Sequence, residues 1–205
     1  MFSLKHQNAI KFLRKDPILK KIIDADSFPI FEDRSNDLFA SLIRSIANQQ
    51  LSGKAADTIL GRFLNLFGNK FPKPEEILKK TDDEIRAVGF SYPKVRYIKG
   101  LASMVVKKEI DLKKLPKLKD EEVIAELIKI KGVGKWTAEM ILIFSLGRPD
   151  IFSLGDLGLV TAVSRLYKID RKNLKKIEKI SIGWSPYRSV ASWYLWKSLD
   201  NRPKV

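Results

Sequence analysis

The 205-residue sequence contains no cysteine and a single histidine, His6. Without thiols there is no disulfide, no thiolate zinc site and no iron–sulfur cluster, and one imidazole cannot build a histidine-rich metal centre. Long apolar runs are missing as well. The longest, around Met140 to Phe144, is far shorter than the roughly 20 residues that a membrane helix needs. The start, MFSLKHQNAIKFLRK, lacks the apolar core of a signal peptide. A soluble, intracellular chain with no membrane partner is therefore expected. No strand-like alternation bounded by hairpin turns, internal repeat or low-complexity stretch is visible, so the expected fold class is all-α. Acidic residues are scarce: 24 Asp and Glu face 39 Lys and Arg, a formal charge of +15. Such an excess suits a polyanion, with nucleic acid ahead of an acidic membrane. A generally Lys-rich composition would give the same charge without that partner.

The apolar residues, 44% of the chain, recur mostly at helical spacing. Ile10, Phe12, Leu13, Ile18, Leu19, Ile22 and Ile23 form a stripe over residues 4–25 that breaks at Pro17. Ser35 or Asn36 is expected to cap a helix running to about Ala47. Residues 54–67 form an amphipathic helix closed by Gly68. Pro74-Glu75-Glu76 opens a short helix, Thr81 to Glu84 reads as a capping box, and Ser91-Tyr92-Pro93-Lys94 opens the next helix. After a Lys-rich connection, helices are expected over 120–129 and 135–146. Asp156 should start a helix reaching about Tyr167, and Asp170 should cap another reaching about Ile182. The last helix carries Trp193, Tyr194 and Trp196, which spacing alone reads as core.

One stretch organises the chain: IKIKGVGKWTAEMILIFSLGRPDIFSLGDLGL, from Ile128 to Leu159. Gly132 and Gly134 bracket Val133 between two helical patterns and allow a tight turn with close backbone approach. The amides of Val133, Gly134, Lys135 and Trp136 would then be donors at the start of a new helix, a ready phosphate site with Lys135 adding charge. Asp156 follows in a Gly155-Asp156-Leu157-Gly158 turn, placed as an N-cap. Read without further context, this is a Gly-rich helix connection plus a capping acid.

KGVGKWTAEM followed at this distance by GDLG, together with SLIRSIANQQLSGKAA and VGFSYPKVRYIKGLA, resembles the helix-hairpin-helix DNA glycosylase superfamily. The resemblance is closest to the 3-methyladenine DNA glycosylase II (AlkA-like) family in its short form, and it runs from about Asn36 to Trp196. It implies a two-lobed helical fold, one lobe of residues 36–149 and the other of residues 1–35 plus 150–205, with a DNA groove between them. It also implies a monomeric base excision repair enzyme that flips a damaged nucleotide out of double-stranded DNA, in the cytoplasm or nucleoid of a prokaryote or the nucleus of a eukaryote. Asp156 would be the catalytic carboxylate, stabilising oxocarbenium character on the sugar and orienting water.

Carried over position by position, the resemblance makes Gln50 the wedge that fills the gap left by the flipped nucleotide, with Gln49 supporting it. Ser52, Ser91 and Lys94 join Gly132, Val133, Gly134 and Lys135 as DNA-binding residues, Ser91 and Lys94 either touching backbone or seating the hairpin; read from the residues alone, these two are a helix cap and a solvated charge. Trp136 stands where lyase-active relatives carry a Schiff-base Lys, so a hydrolytic glycosylase without lyase activity is expected. Trp136 and Trp196 match two pocket aromatics, which suits cationic alkylated purines of the 3-methyladenine and 7-methylguanine type, while Met140 lines the pocket where some bacterial members carry a third aromatic, implying a looser pocket or one shaped for other lesions. Arg188 would pair with an acid. No cofactor is required, but backbone carbonyls of Ile128, Ile130 and Val133 would hold a structural Na⁺ or K⁺. Two departures stand out. Helix-like sequence begins at residue 4, where long-form relatives carry a β-rich domain, and Leu154 replaces a Pro found in many relatives. The alternatives are a glycosylase for oxidised or deaminated purines (8-oxoguanine, hypoxanthine) and a non-catalytic DNA-binding module.

Overall fold

The computed structural model describes residues 4–24, 27, 37–51 and 53–199. Every regular element among them is helical: α1 (Leu4–Leu13), α2 (Leu38–Asn48), α3 (Gly53–Asn65), α4 (Pro74–Lys79), α5 (Asp82–Ala87), α6 (Tyr92–Val106), α7 (Asp120–Leu127), α8 (Lys135–Phe144), α9 (Leu157–Tyr167), α10 (Leu174–Ile182) and α11 (Arg188–Ser198), with short 3₁₀ turns at Leu19–Lys21 and Leu115–Lys117. None of these helices is long and apolar enough to cross a membrane.

The chain divides into two compact units. One comprises Met1–Glu32 and Leu142–Pro203, the other Asp33–Ile141 and Lys204–Val205. The division thus falls inside α8, eight residues before the boundary expected at 149/150. The physical reason is Phe144: its ring stacks on Trp196, with centroids 5.7 Å apart, so the last turn of α8 packs with α11.

In the unit of residues 33–141, α6 packs against α2, α4 and α5, and α2 against α3. Leu42, Ile43, Ile46, Phe63, Ile77, Ile85, Val95, Ile98 and Leu101 are fully buried there, each contributing roughly 1.5–3 kcal/mol of transfer free energy. Thr81 caps α5 as the sequence indicates: its hydroxyl accepts from the Glu84 amide (3.1 Å) while the Glu84 carboxylate accepts from the Thr81 amide (2.7 Å). The start of α2 differs from expectation. Asp37 is its N-cap residue, without a side-chain cap bond, and Ser35 and Asn36 lie outside the described residues.

In the other unit, α9 packs against α10 and α11. Asp16, just beyond α1, ties chain-distant parts together. Its Oδ1 accepts from the amides of Ile18 (2.8 Å) and Leu19 (3.0 Å), and its Oδ2 from the Tyr167 hydroxyl (2.6 Å) and the Trp184 indole (3.1 Å). Burial alone would raise this carboxyl, but the hydrogen bonds outweigh it and hold Asp16 below its ordinary value. Burial and the adjacent Asp16 carboxylate push the Tyr167 hydroxyl upward. The expected cap at Asp170 is corrected: Asn173 caps α10, accepting from the Lys176 amide at 3.1 Å. A cap reaches only two or three residues, so Asp170 closes a turn onto the Lys172 amide instead.

Candidate nucleic-acid interface and catalytic carboxylate

The hairpin between α7 and α8 is built from backbone geometry. Ile128 ends α7 and Gly132 takes φ +90°, a value costly for any residue with a Cβ. There is also no room for one: a Cβ at Gly132 would run into the Tyr97 ring of α6. One expectation is corrected. The Val133 amide does not face outward but donates to the Ile130 carbonyl at 2.9 Å, because the turn closes one residue before α8 begins. The amides at the head of α8 that lack an intrahelical acceptor therefore start at Gly134, whose own carbonyl already accepts from Ala138 (3.0 Å) as the first bond of the helix. Lys135 is 76% exposed there, its Nζ 3.9 Å from the buried Glu139 carboxylate. Glu139 was not singled out in the sequence, since a charged residue on an apolar helix face has no signature of its own.

The amide-rich loop after α2 lies against this hairpin. Gln49 Nε2 donates to the Gly132 carbonyl at 2.9 Å. Gln50, next along, is exposed and left-handed, with φ +57°, a conformation worth about 1–2 kcal/mol of strain in a residue other than glycine. A cleft of ≈ 430 Å³ opens between loop and hairpin, lined by Ser45, Asn48, Gln49, Gln50, Gly132, Gly134, Trp136 and Thr137. Trp136, 38% exposed, is the aromatic side chain among them. Ser45, Asn48 and Thr137 were missed in the sequence. Ser45 and Asn48 are three apart on α2, a spacing that a polar stripe on an otherwise apolar helix could have disclosed.

Lys94 does not project outward. Its Nζ donates to the carbonyls of Ala47 and Gln49, both at 2.8 Å, which ties it to the loop after α2. Burial pushes the Lys94 ammonium below its ordinary value. Ser91 is the exposed N-cap residue of α6, without a side-chain cap bond. Ser52 lies outside the described residues. Met140 is fully buried on α8, a core residue here rather than a wall of the cleft.

Asp156, in the other unit, is 6% exposed and caps α9, as expected from the Gly155-Asp156 turn. Its Oδ1 accepts from the Leu159 amide (2.8 Å) and from the Trp196 indole (2.9 Å). Two donors on one oxygen fix the plane of the carboxylate. Trp196 is only 1% exposed, with Phe144 stacked on its ring. It therefore offers its N–H to Asp156 rather than an open face to a base. The segment leading to Asp156 is sewn to α11. Ser189 Oγ accepts from the Ile151 amide (3.0 Å) and donates to the Arg148 carbonyl (2.7 Å), and the Ser189 amide donates to the Pro149 carbonyl (2.9 Å). Arg188 grips Asp150 through Nε (2.8 Å) and Nη2 (3.0 Å), which names the acid expected for it. Burial would raise the Asp150 carboxyl, yet the bonds from Arg188 and Ser185 hold it lowered.

The pattern of the HhH-GPD superfamily of base excision DNA repair proteins matches residues 43–186. A putative DNA-3-methyladenine glycosylase of Bacillus subtilis is 36% identical over 170 residues, covering 80% of this chain and 59% of the relative, so the chain spans less than two thirds of that protein. DNA-3-methyladenine glycosylase 1 of Schizosaccharomyces pombe is 39% identical over 163 residues, 78% of this chain and 72% of the relative. The solved structure of a 3-methyladenine DNA glycosylase from the same yeast, in complex with abasic DNA, superimposes with a TM-score of 0.82 over 97% of this chain and 99% of that one, at 32% identity. With the hairpin, the amide-rich loop and the capping Asp156 all present in a helical fold of the same kind, the chain belongs to the HhH-GPD superfamily of base excision DNA repair proteins.

Proposed function

We propose that this chain is a monofunctional DNA glycosylase that extrudes alkylated purines of the 3-methyladenine and 7-methylguanine type from duplex DNA and hydrolyses their N-glycosidic bonds. The observation that carries the lesion class is Trp136, an exposed indole on the cleft at the head of the hairpin helix. Alkylation at N3 or N7 leaves a cationic purine, and an electron-rich ring attracts such a cation by roughly 0.5–2 kcal/mol. The names of the relatives from yeast and Bacillus support the same class.

In this reading the backbone at Gly134 and Lys135 grips a phosphate, and Gln50 fills the gap left by the extruded nucleotide. As the C1′–N bond breaks, the bonding pair leaves with the base and neutralises its positive charge. The Asp156 carboxylate stabilises the oxocarbenium ion and takes the proton of the attacking water. No amine sits two residues after Gly134. Lys135 is one position early and leans towards Glu139, which supports hydrolysis without strand cleavage. Carbonyls of Ile128, Ile130 and Val133 suit a Na⁺ or K⁺ ion: Ile130 spends one lone pair on the Val133 amide and keeps another. Such an ion would help to neutralise phosphate. The enzyme acts as a monomer on DNA bearing a damaged base.

The test is single-turnover excision from duplexes each carrying 7-methylguanine, a 3-methyladenine analogue, hypoxanthine or 8-oxoguanine, scored with and without alkali. Release of the alkylated bases, with nicking only after alkali, is expected. Release of 8-oxoguanine alone, or nicking without alkali, refutes it.

A further inference from the structure

Lys94 and Tyr97 sit three residues apart on α6 and touch the two halves of the cleft. The Lys94 ammonium closes on the Ala47 and Gln49 carbonyls at the C-terminal end of α2, where a helix has carbonyls without internal donors and its dipole favours a cation. The Tyr97 ring lies against the backbone of Gly132, on the side where a Cβ would project. Gln49 completes a ring of contacts by donating to the Gly132 carbonyl. Gln50, the very next residue, is held left-handed, which a glutamine adopts only where its surroundings impose it. We propose that Lys94 is a positioning residue: it fixes the loop bearing Gln50 against the hairpin, so that filling the duplex and gripping the phosphate stay in register.

The chemistry of the residue fits the task. An ammonium is a compact point donor that chelates two carbonyls, whereas a planar guanidinium spreads its donors and suits carboxylates or phosphates. With two donors spent on carbonyls within the protein, Lys94 acts through Gln49 and Gln50 rather than on DNA. The extrusion step itself rests on the function proposed above.

The experiment compares the intact wild-type chain with Lys94→Met, Gln49→Ala and the double variant. Binding to a duplex with a non-cleavable abasic analogue is measured against salt. Fluorescence of a 2-aminopurine beside the analogue reads extrusion without chemistry. Excision of 7-methylguanine is timed in a paired duplex and in an unpaired bulge. Lys94→Met is expected to slow extrusion and paired-duplex excision by about tenfold to a hundredfold. It should spare the bulged substrate, where unstacking is already cheap, and leave the salt slope unchanged. Gln49→Ala should add little in the Lys94→Met background, since both act through one network.

A salt slope lowered by about one with extrusion unchanged would make Lys94 a phosphate contact and overturn the proposal. Equal losses on paired and bulged substrates, or full additivity with Gln49→Ala, would overturn it too. If Lys94→Met fails to fold by circular dichroism, Gln49→Ala alone must show the slowed extrusion. A wild-type chain that leaves 7-methylguanine in place refutes the function proposed above, while the fluorescence still decides the role of Lys94.

Discussion

Replacing Trp196 with Phe removes one N–H and keeps most of the ring. The indole nitrogen lies 2.9 Å from Asp156 Oδ1 and is buried with it. A hydrogen bond to a charged group contributes about 1.5–3 kcal/mol. If that stabilisation is expressed in the transition state, its loss lowers the single-turnover rate roughly 10- to 150-fold. The phenyl ring retains the stacking on Phe144 but leaves part of the indole volume empty, at about 1–2 kcal/mol of stability. For a chain of this size the melting temperature should fall by roughly 2–8 °C. Affinity for abasic DNA should stay unchanged. The decisive readout is the pattern across substrates. A carboxylate that has lost its orientation slows cationic and neutral bases by the same factor, so 7-methylguanine and an uncharged 3-methyladenine analogue should decline together. A deficit confined to the cationic base would refute this reasoning, because it would make the indole face a base platform despite its burial. A rate equal to wild type would show that the indole does not orient Asp156.

Three further outcomes follow from the same geometry. Asp156→Asn keeps an oxygen for the Leu159 amide and Trp196, so the variant should fold and bind DNA while its excision rate falls below detection; retained excision in a single-turnover assay would refute the mechanism. Gly132→Ala must accept both φ +90° and the Tyr97 ring, so it should lose more than about 2 kcal/mol in urea unfolding, whereas Gly134→Ala, with open space around it, should fold normally and lose DNA affinity in a titration against duplex. Asp16 titrates below its ordinary value in the folded chain, so its contribution is present above the unfolded pKa and drains as pH falls through the folded one. Thermal unfolding should then show the stability gap between wild type and Asp16→Asn closing below about pH 4.

What the sequence disclosed was local. Helical periodicity, the Thr81 capping box and the Gly155-Asp156 turn are decided within a few residues, and each stands where expected. Asp156 was readable for the same reason, because an acid before an apolar helical run has one good place to go. The partners of these residues were not readable. Trp196 meets Asp156 across 40 positions and Lys94 meets Ala47 across 47, and no spacing rule links such pairs. Trp184, fully buried against Asp16, stood in no recognisable motif. Asp170 misled because two residues within one turn's reach both make good caps, and only the start of α10 at Leu174 decides between them. The Val133 amide misled because a hairpin between helices can close one residue earlier than glycine positions suggest.

The contact between Tyr97 and Gly132 has a bearing on how this chain can change over generations. A side chain cannot arrive at position 132 while a large ring occupies position 97. A smaller residue at 97 exposes the hairpin without any immediate gain. Position 132 is therefore held as glycine by both its backbone and its neighbour, and descendants should drift freely over the Lys-rich surface while this residue stays fixed. In engineering the same constraint applies. Position 132 is best kept as glycine even where residue 97 is varied, since φ +90° strains any side chain there whatever space a smaller neighbour leaves.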